Sequence, residues 1–258
     1  MNYYLPFIPE RPSKPRSRGI TMVMDKGLSL NEAENLIETG SQLIDFVKLG
    51  FGTSYITNKL DEKIRLYKSA NISPYFGGTL FEAFIIRNMF KEYIEILQKF
   101  KIETVEVSDG SMCMEFDKKC EYINTLSKSF SVLSEVGSKD CEVVLSPDVW
   151  VKMLNAELNA GAFKVITEAR ESGNVGIYTS NGNADKDLIH EIISNVPVEN
   201  IIWEAPNKPQ QVWFLKLLGS NVNLGNIAPN EIIPLETLRL GLRGDTFLSF
   251  LPDNLIKH

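Results

Sequence analysis

The feature that most constrains this chain is an alternation. Short runs rich in β-branched and aromatic residues recur eight times, each followed by a longer stretch with helical periodicity. The runs that read as strands are Ile20–Met24, Phe46–Leu49, Ser73–Phe76, Thr104–Val107, Ser131–Glu135, Lys164–Thr167, Ile201–Glu204 and Val222–Leu224. Helical patterns fall near Leu30–Thr39, Asn58–Ala70, Leu80–Phe100, Asp117–Ser129, Pro147–Ala160, Asp185–Asn195, Pro209–Leu218 and Pro234–Gly241. Eight strand–helix units predict an α/β fold of the (β/α)8 TIM-barrel type, in a single domain. A doubly wound sheet of this length ordinarily carries a glycine-rich phosphate loop after its first strand, and Asp25-Lys26-Gly27 is not one. The 258 residues suit one barrel, and 43% apolar residues suffice for its core. Residues 1–19 contain Pro6, Pro9, Pro12 and Pro15 and read as an extended N-terminal arm, leaving 20–258 as the barrel domain.

Charge and residue usage exclude several kinds of function. A net charge of −6, from 27 basic and 33 acidic residues, gives no basic surface for a nucleic-acid backbone. No apolar run approaches the roughly 18 residues of a membrane span, and the N-terminus has no secretory pattern, so a cytoplasmic location is expected. Cys113, Cys120 and Cys141 are too few and wrongly spaced for a disulfide framework or a zinc site. Histidine is confined to His190 and the last residue, His258, and His190 sits in an amphipathic helical stretch. A Ser-His-Asp triad or a His-ligated metal is thereby disfavoured, leaving carboxylates, lysines, arginines and a hard cation to carry any chemistry.

Barrel enzymes place their chemistry where strands end and loops begin. Here strand one ends in Asp25-Lys26, strand two in Lys48, and strand four runs through Glu106 to Ser108-Asp109. Strand five ends at Glu135, with Lys139-Asp140 beyond it. Strand six ends at Glu168, with Arg170-Glu171 following, and strand seven at Glu204, with Lys208 following. Gly225-Asn226 follows strand eight, and Arg243 and Asp245 follow the last helix. Charged residues often cap strands and face water, but recurrence at one set of ends suggests a mixed rim. Such a rim suits a polyanion held by Lys and Arg beside a metal held by carboxylates. Lys48 and Glu106 lie inside apolar strand runs, where an unpaired charge would cost several kcal/mol. Gly77-Gly78-Thr79 reads as a turn into a helix with Thr79 as N-cap.

These segments resemble the phosphosulfolactate synthases. The resemblance is carried by Arg16-Ser-Arg-Gly-Ile-Thr-Met-Val-Met-Asp-Lys-Gly-Leu28, Lys48-Leu-Gly-Phe-Gly-Thr-Ser54, Gly77-Gly-Thr-Leu-Phe-Glu82 and Glu106-Val-Ser-Asp-Gly110. It continues through Glu135-Val-Gly-Ser-Lys-Asp140, Glu168-Ala-Arg-Glu-Ser-Gly173, Trp203-Glu-Ala-Pro-Asn-Lys208, Val222-Asn-Leu-Gly-Asn-Ile227 and Leu238-Arg-Leu-Gly-Leu-Arg-Gly-Asp-Thr246. It implies a Mg²⁺-dependent barrel enzyme that adds sulfite to phosphoenolpyruvate to give (2R)-O-phospho-3-sulfolactate, a step toward coenzyme M or sulfolactate. It also implies a homo-oligomer, with a trimer as the expected form. The same family contains heat-stress-associated plant relatives, so two alternatives stand beside this reading: a non-catalytic homologue that keeps the barrel, and another phosphoenolpyruvate-handling barrel enzyme.

For the synthase chemistry, Asp109, Glu135, Glu168 and Glu204 are the candidate Mg²⁺ ligands. Lys139 is the candidate proton donor, with Lys26 and Lys48 the next lysines at strand ends. Arg170, Lys208, Gly225, Asn226 and Arg243 are candidates for holding the substrate anions.

Overall fold

The computed structural model describes residues 2–137, 145–169 and 172–256. Its strands are β1 (Thr21–Asp25), β2 (Phe46–Leu49), β3 (Ser73–Phe76), β4 (Thr104–Val107), β5 (Ser131–Val136), β6 (Lys164–Thr167), β7 (Ile201–Glu204) and β8 (Leu224–Ile227). They form one parallel sheet in the order β3-β2-β1-β8-β7-β6-β5-β4, and β3 lies beside β4 so that the sheet curls into a barrel. The chain is a single-domain (β/α)8 TIM barrel.

The helices are α1 (Leu30–Gly40), α2 (Leu60–Ser69), α3 (Gly78–Ile85), α4 (Phe90–Lys99), α5 (Phe116–Ser127), α6 (Pro147–Asn159), α7 (Lys186–Asn195), α8 (Lys208–Leu218), α9 (Ile232–Arg239) and a last turn, α10 (Asp253–Ile256). Local chemistry starts several of them. Ser29 and Glu32 close a reciprocal capping box on α1, Asn207 and Gln210 do the same on α8, and Asp185 caps Leu188 on α7. Two expectations shift. The long helix expected over Leu80–Phe100 is two, broken where Asn88 takes a positive φ of 56°. The eighth strand lies at Leu224–Ile227 rather than Val222–Leu224.

Side-chain alternation along the strands builds the barrel interior in layers. Met22, Phe46, Tyr75, Leu133, Ile166 and Ile202 pack together as an apolar plug inside the barrel. Two residues further along their strands, and therefore one layer higher, come Met24, Lys48, Glu135, Glu168 and Glu204. The opposite strand faces pack against the helices in two larger apolar clusters.

The arm, residues 2–19, has no helix or strand and crosses the N-terminal end of the barrel. Arg16 grips Asp45 through Nε and Nη2, Lys14 donates to the carbonyls of Ser41 and Ile44, and Arg11 pairs with Glu236 on α9. Cys113 and Cys120 are free thiols, and His190 is exposed on α7. Among the described residues no helix is long and apolar enough to cross a membrane.

Candidate active site

The C-terminal mouth of the barrel opens into a cavity of about 740 Å³. It is lined by Met24, Lys48 and Phe51, by Gly77, Thr79 and Ser111, and by Glu135, Glu168, Ser172, Glu204 and Asn226. Its floor is ionic. The Lys48 ammonium lies 3.0 Å from Glu106 Oε1, 3.1 Å from Glu135 Oε2 and 3.6 Å from Glu204 Oε1, all of them buried. The strand runs that made Lys48 and Glu106 costly as isolated charges therefore bring them together as partners.

Main-chain contacts fix two of these carboxylates, Glu106 and Glu204. Glu106 Oε1 accepts the Gly78 N–H at 2.5 Å, at the start of α3. This close approach is why a glycine stands at 78: a Cβ there would collide with Ser108 and crowd Glu106. Glu204 Oε2 accepts the Ala169 N–H at 3.0 Å. Glu82, buried on α3, accepts from the Ser108 hydroxyl and from the Ser111 N–H, holding the loop after β4 against the cavity wall.

Burial dominates the protonation of these groups. Burial opposes the Lys48 charge, but Glu106, Glu135 and Glu204 outweigh it and hold the ammonium well above the usual lysine range. Burial pushes Glu106 up despite the pull of Lys48. It pushes Glu204 up to about 7, with Glu135 and Glu106 adding to the rise and Lys48 opposing it. Both carboxyls thus stay raised with the Lys48 ammonium beside them.

Glu135, Glu168 and Glu204 each present an oxygen within 4.8 Å of the others. This buried all-oxygen set fits a hard divalent cation. Glu204 Oε1 makes no hydrogen bond among the described residues, only the 3.6 Å ion pair with Lys48, so it keeps acceptor capacity for a cation. A cation there would also lower the carboxyl pKa that burial raises.

The other residues singled out by the sequence fall in different places. Asp109 lies outside this trio: its carboxylate takes the Lys119 ammonium at 2.8 Å, and Lys119 also meets Glu157 at 2.9 Å and the Glu135 carbonyl at 2.6 Å. Asp25 ends β1 but is spent on Lys63, Tyr67 and the N–H groups of Gly27 and Leu28. Lys26 is exposed and does not line the cavity. Lys208 pairs with Asp245 at 2.7 Å, and Arg243 is half-buried in the same C-terminal segment. Gly225 is buried in β8, and Asn226 reaches the cavity in a left-handed conformation, φ 56°. Its buried Oδ1 has no hydrogen-bond partner among the described residues. Lys139 and Arg170 lie outside the described residues. Thr79 is not the N-cap: that position falls two residues earlier, on Gly77, with α3 beginning at Gly78, which leaves Thr79 to line the cavity. Met24, Phe51, Ser111 and Ser172 were not foreseen, because uncharged side chains carry no signal at strand ends.

Fold and site together define a (β/α)8 barrel with a carboxylate-rich centre at its C-terminal mouth. The family model for (2R)-phospho-3-sulfolactate synthase (ComA) matches residues 9–245. The phosphosulfolactate synthase of Methanothermobacter thermautotrophicus is 45% identical over 252 residues, covering 95% of this chain and 98% of the relative. That of Bacillus subtilis is 43% identical over 250 residues, covering 96% and 99%. Among solved structures, 3-hexulose-6-phosphate synthase from Salmonella typhimurium shares the fold with a TM-score of 0.57 at 14% identity, covering 87% of this chain and 100% of that one. The chain belongs to the phosphosulfolactate synthase family, and it is an enzyme of that family.

Proposed function

We propose that this enzyme joins sulfite to phosphoenolpyruvate, with Mg²⁺, to form (2R)-O-phospho-3-sulfolactate. The observation that carries the reading is the floor of the cavity: three buried carboxylates in reach of one another, beside a lysine that stays charged. Glu135, Glu168 and Glu204 would hold Mg²⁺, which as a Lewis acid supplies positive charge against the enediolate-like charge that develops on the substrate carboxylate.

The chain's own residues divide the remaining work. Sulfite attacks the methylene carbon of phosphoenolpyruvate, so two mutually repelling anions must meet, and a proton must then reach the adjacent carbon. Lys48 stands in the cavity as a fixed cation for those anions; a lysine held above its usual range is a poor acid near neutrality. Lys139, three residues past the end of β5, is the proposed proton donor. Thr79, Ser111, Ser172 and Asn226 offer polar groups around the cavity wall for the phosphate and sulfite oxygens. Binding both reactants in one pocket converts their encounter into a local step, which is where such a site gains most.

The reading extends to a cytoplasmic homo-oligomer, a trimer by resemblance, with small-molecule substrates and neither a nucleic-acid nor a membrane partner. The test is direct. Purified protein mixed with Mg²⁺, phosphoenolpyruvate and sulfite should yield phosphosulfolactate, detected by mass spectrometry or ³¹P NMR, and chelation should abolish it. Product formed at full rate in the presence of chelator would rule out metal binding as the task of the three glutamates.

A further inference from the structure

Eighteen residues separate the end of β6 at Thr167 from the start of α7 at Lys186, and of the described ones Glu168 and Ser172 line the cavity at the barrel mouth. Loops of this length are uncommon in compact barrels unless they serve a function. Within it, two consecutive residues reach the main chain of two members of the carboxylate trio. The Ile177 N–H donates to the Glu168 carbonyl at 3.2 Å, and the Tyr178 hydroxyl donates to the Glu204 carbonyl at 2.6 Å. The ladder between β6 and β7 ends at Thr167 opposite Trp203, one residue short of both glutamates. The loop takes over from the sheet where the sheet stops.

The fit is close. Ile177 and Tyr178 are buried, and Gly176, at φ 70°, lies so near the Glu168 carbonyl that any Cβ there would overlap it. The loop is anchored from the far side by α8. Buried Gln210 donates its amide to the carbonyls of Gly173 at 2.7 Å and Gly182 at 3.2 Å, and Asn207 donates to the Ser172 carbonyl at 3.2 Å. Asn207 and Gln210 thus clamp a loop whose Ser172 faces the cavity.

We propose that Tyr178 is a positioning residue of the carboxylate site. Its hydroxyl bridges from the loop to β7 and sets the spacing of Glu168 and Glu204, while Gln210 holds the loop that carries it. This rests on Glu135, Glu168 and Glu204 being the divalent-cation site, and it assigns that site a main-chain brace. Groups that orient the ligands of a metal typically cost 10–100-fold in metal affinity or activity when removed.

The experiment measures Mn²⁺ binding, read from the electron paramagnetic resonance signal of the free ion, for the intact enzyme and for Tyr178→Phe. This substitution removes one oxygen and leaves the ring in its packing. Mn²⁺ affinity should fall by about tenfold or more, and kcat/KM should fall with it. Gln210→Glu, which replaces the donating amide by an acceptor facing two carbonyls, should weaken Mn²⁺ in the same direction. It carries the test if the tyrosine variant fails to fold. A Tyr178→Phe protein that melts earlier but binds Mn²⁺ as the parent does would overturn the proposal and leave Tyr178 as packing. A parent enzyme that binds no Mn²⁺, like a Glu168→Gln variant that binds it unchanged, would instead sink the carboxylate reading, and the brace with it.

Discussion

At the N-terminal end of the barrel, buried cations are met by matching groups. Arg16 takes Asp45 through Nε at 2.9 Å and Nη2 at 2.8 Å, and the same carboxylate accepts the Thr21 N–H at 2.8 Å. Arg239, buried under the arm, donates to the carbonyls of Ser220, Val222 and Ile20. At the C-terminal end, among the described residues, Lys48 faces Glu106, Glu135 and Glu204 within 3.6 Å, and Glu168 stands close to two of them. Both ends remove charge from water, which is costly in either place. The lower end sets its cations against the Asp45 and Glu236 carboxylates and main-chain carbonyls, and burial still lowers Arg239 to about 9. The upper end leaves carboxylates pushed toward protonation, an arrangement that a cationic ligand would relieve. In barrels the lower face generally serves stability and the upper face chemistry, and here the balance of buried charge separates the two.

The sharpest way to test the upper end is Lys139→Ala. If Lys139 protonates the substrate's central carbon, turnover should fall by roughly 10²–10⁴-fold while the apparent KM values move modestly. Steady-state kinetics with each substrate varied in turn separates the outcomes. A raised KM for sulfite at near-normal kcat would make Lys139 a binding group and move the acid role to Lys26 or Lys48. The second of these would then need to lose the charge that its three carboxylates now stabilise.

The lower end is tested by Arg16→Ala, with the opposite signature. Removing the arginine strands Asp45 in a site where its side chain is 8% exposed. Breaking a buried pair from one side costs about 3–5 kcal/mol, which for a chain of this size lowers the melting temperature on the order of 10 °C. Activity per folded molecule should not change. A loss of kcat without a loss of stability would break the division between the two ends.

Much of this division was legible in the sequence. The strands were, because apolar period-two runs are the strongest local signal, and seven of them fall within a residue or so of where they were expected. The eighth was displaced because Asn223, Gly225 and Asn226 are poor strand formers, so the strand pattern in the sequence stops early. The split between α3 and α4 was hidden because helical periodicity continues across Asn88. Lys48 and Glu106 announced themselves as charges inside apolar runs. Asp109 did not reveal its partner, since a lysine on a helix usually reads as solvent-facing. Yet Lys119, Ile123 and Leu126 share one face of α5, as Lys63 and Tyr67 do on α2 and Trp150, Leu154 and Glu157 on α6. Charge on the apolar face of a helix was the available signal. Tyr178 had none: its partner is a main-chain carbonyl 26 residues away, and only the fold brings them together.

The smallest effect, and the finest test of where the upper site ends, concerns Lys208. Its place after β7 suggested an anion-binding role, but its ammonium is held by Asp245 at 2.7 Å, and it is not among the residues lining the cavity. An exposed pair of this kind adds little to stability, so Lys208→Ala should leave the melting temperature essentially unchanged. If the lysine only tethers the C-terminal segment to the start of α8, the KM for phosphoenolpyruvate should change by less than about threefold. Asp245→Asn supplies the complementary measurement, because it releases the ammonium without removing it. Should Lys208 belong to the substrate, Lys208→Ala raises that KM by about tenfold or more, and Asp245→Asn lowers it or leaves it alone. If both variants match the parent, the functional site stops at the cavity wall. The charge balance that distinguishes the two ends of the barrel is then set by Lys48 and its carboxylates rather than by the rim.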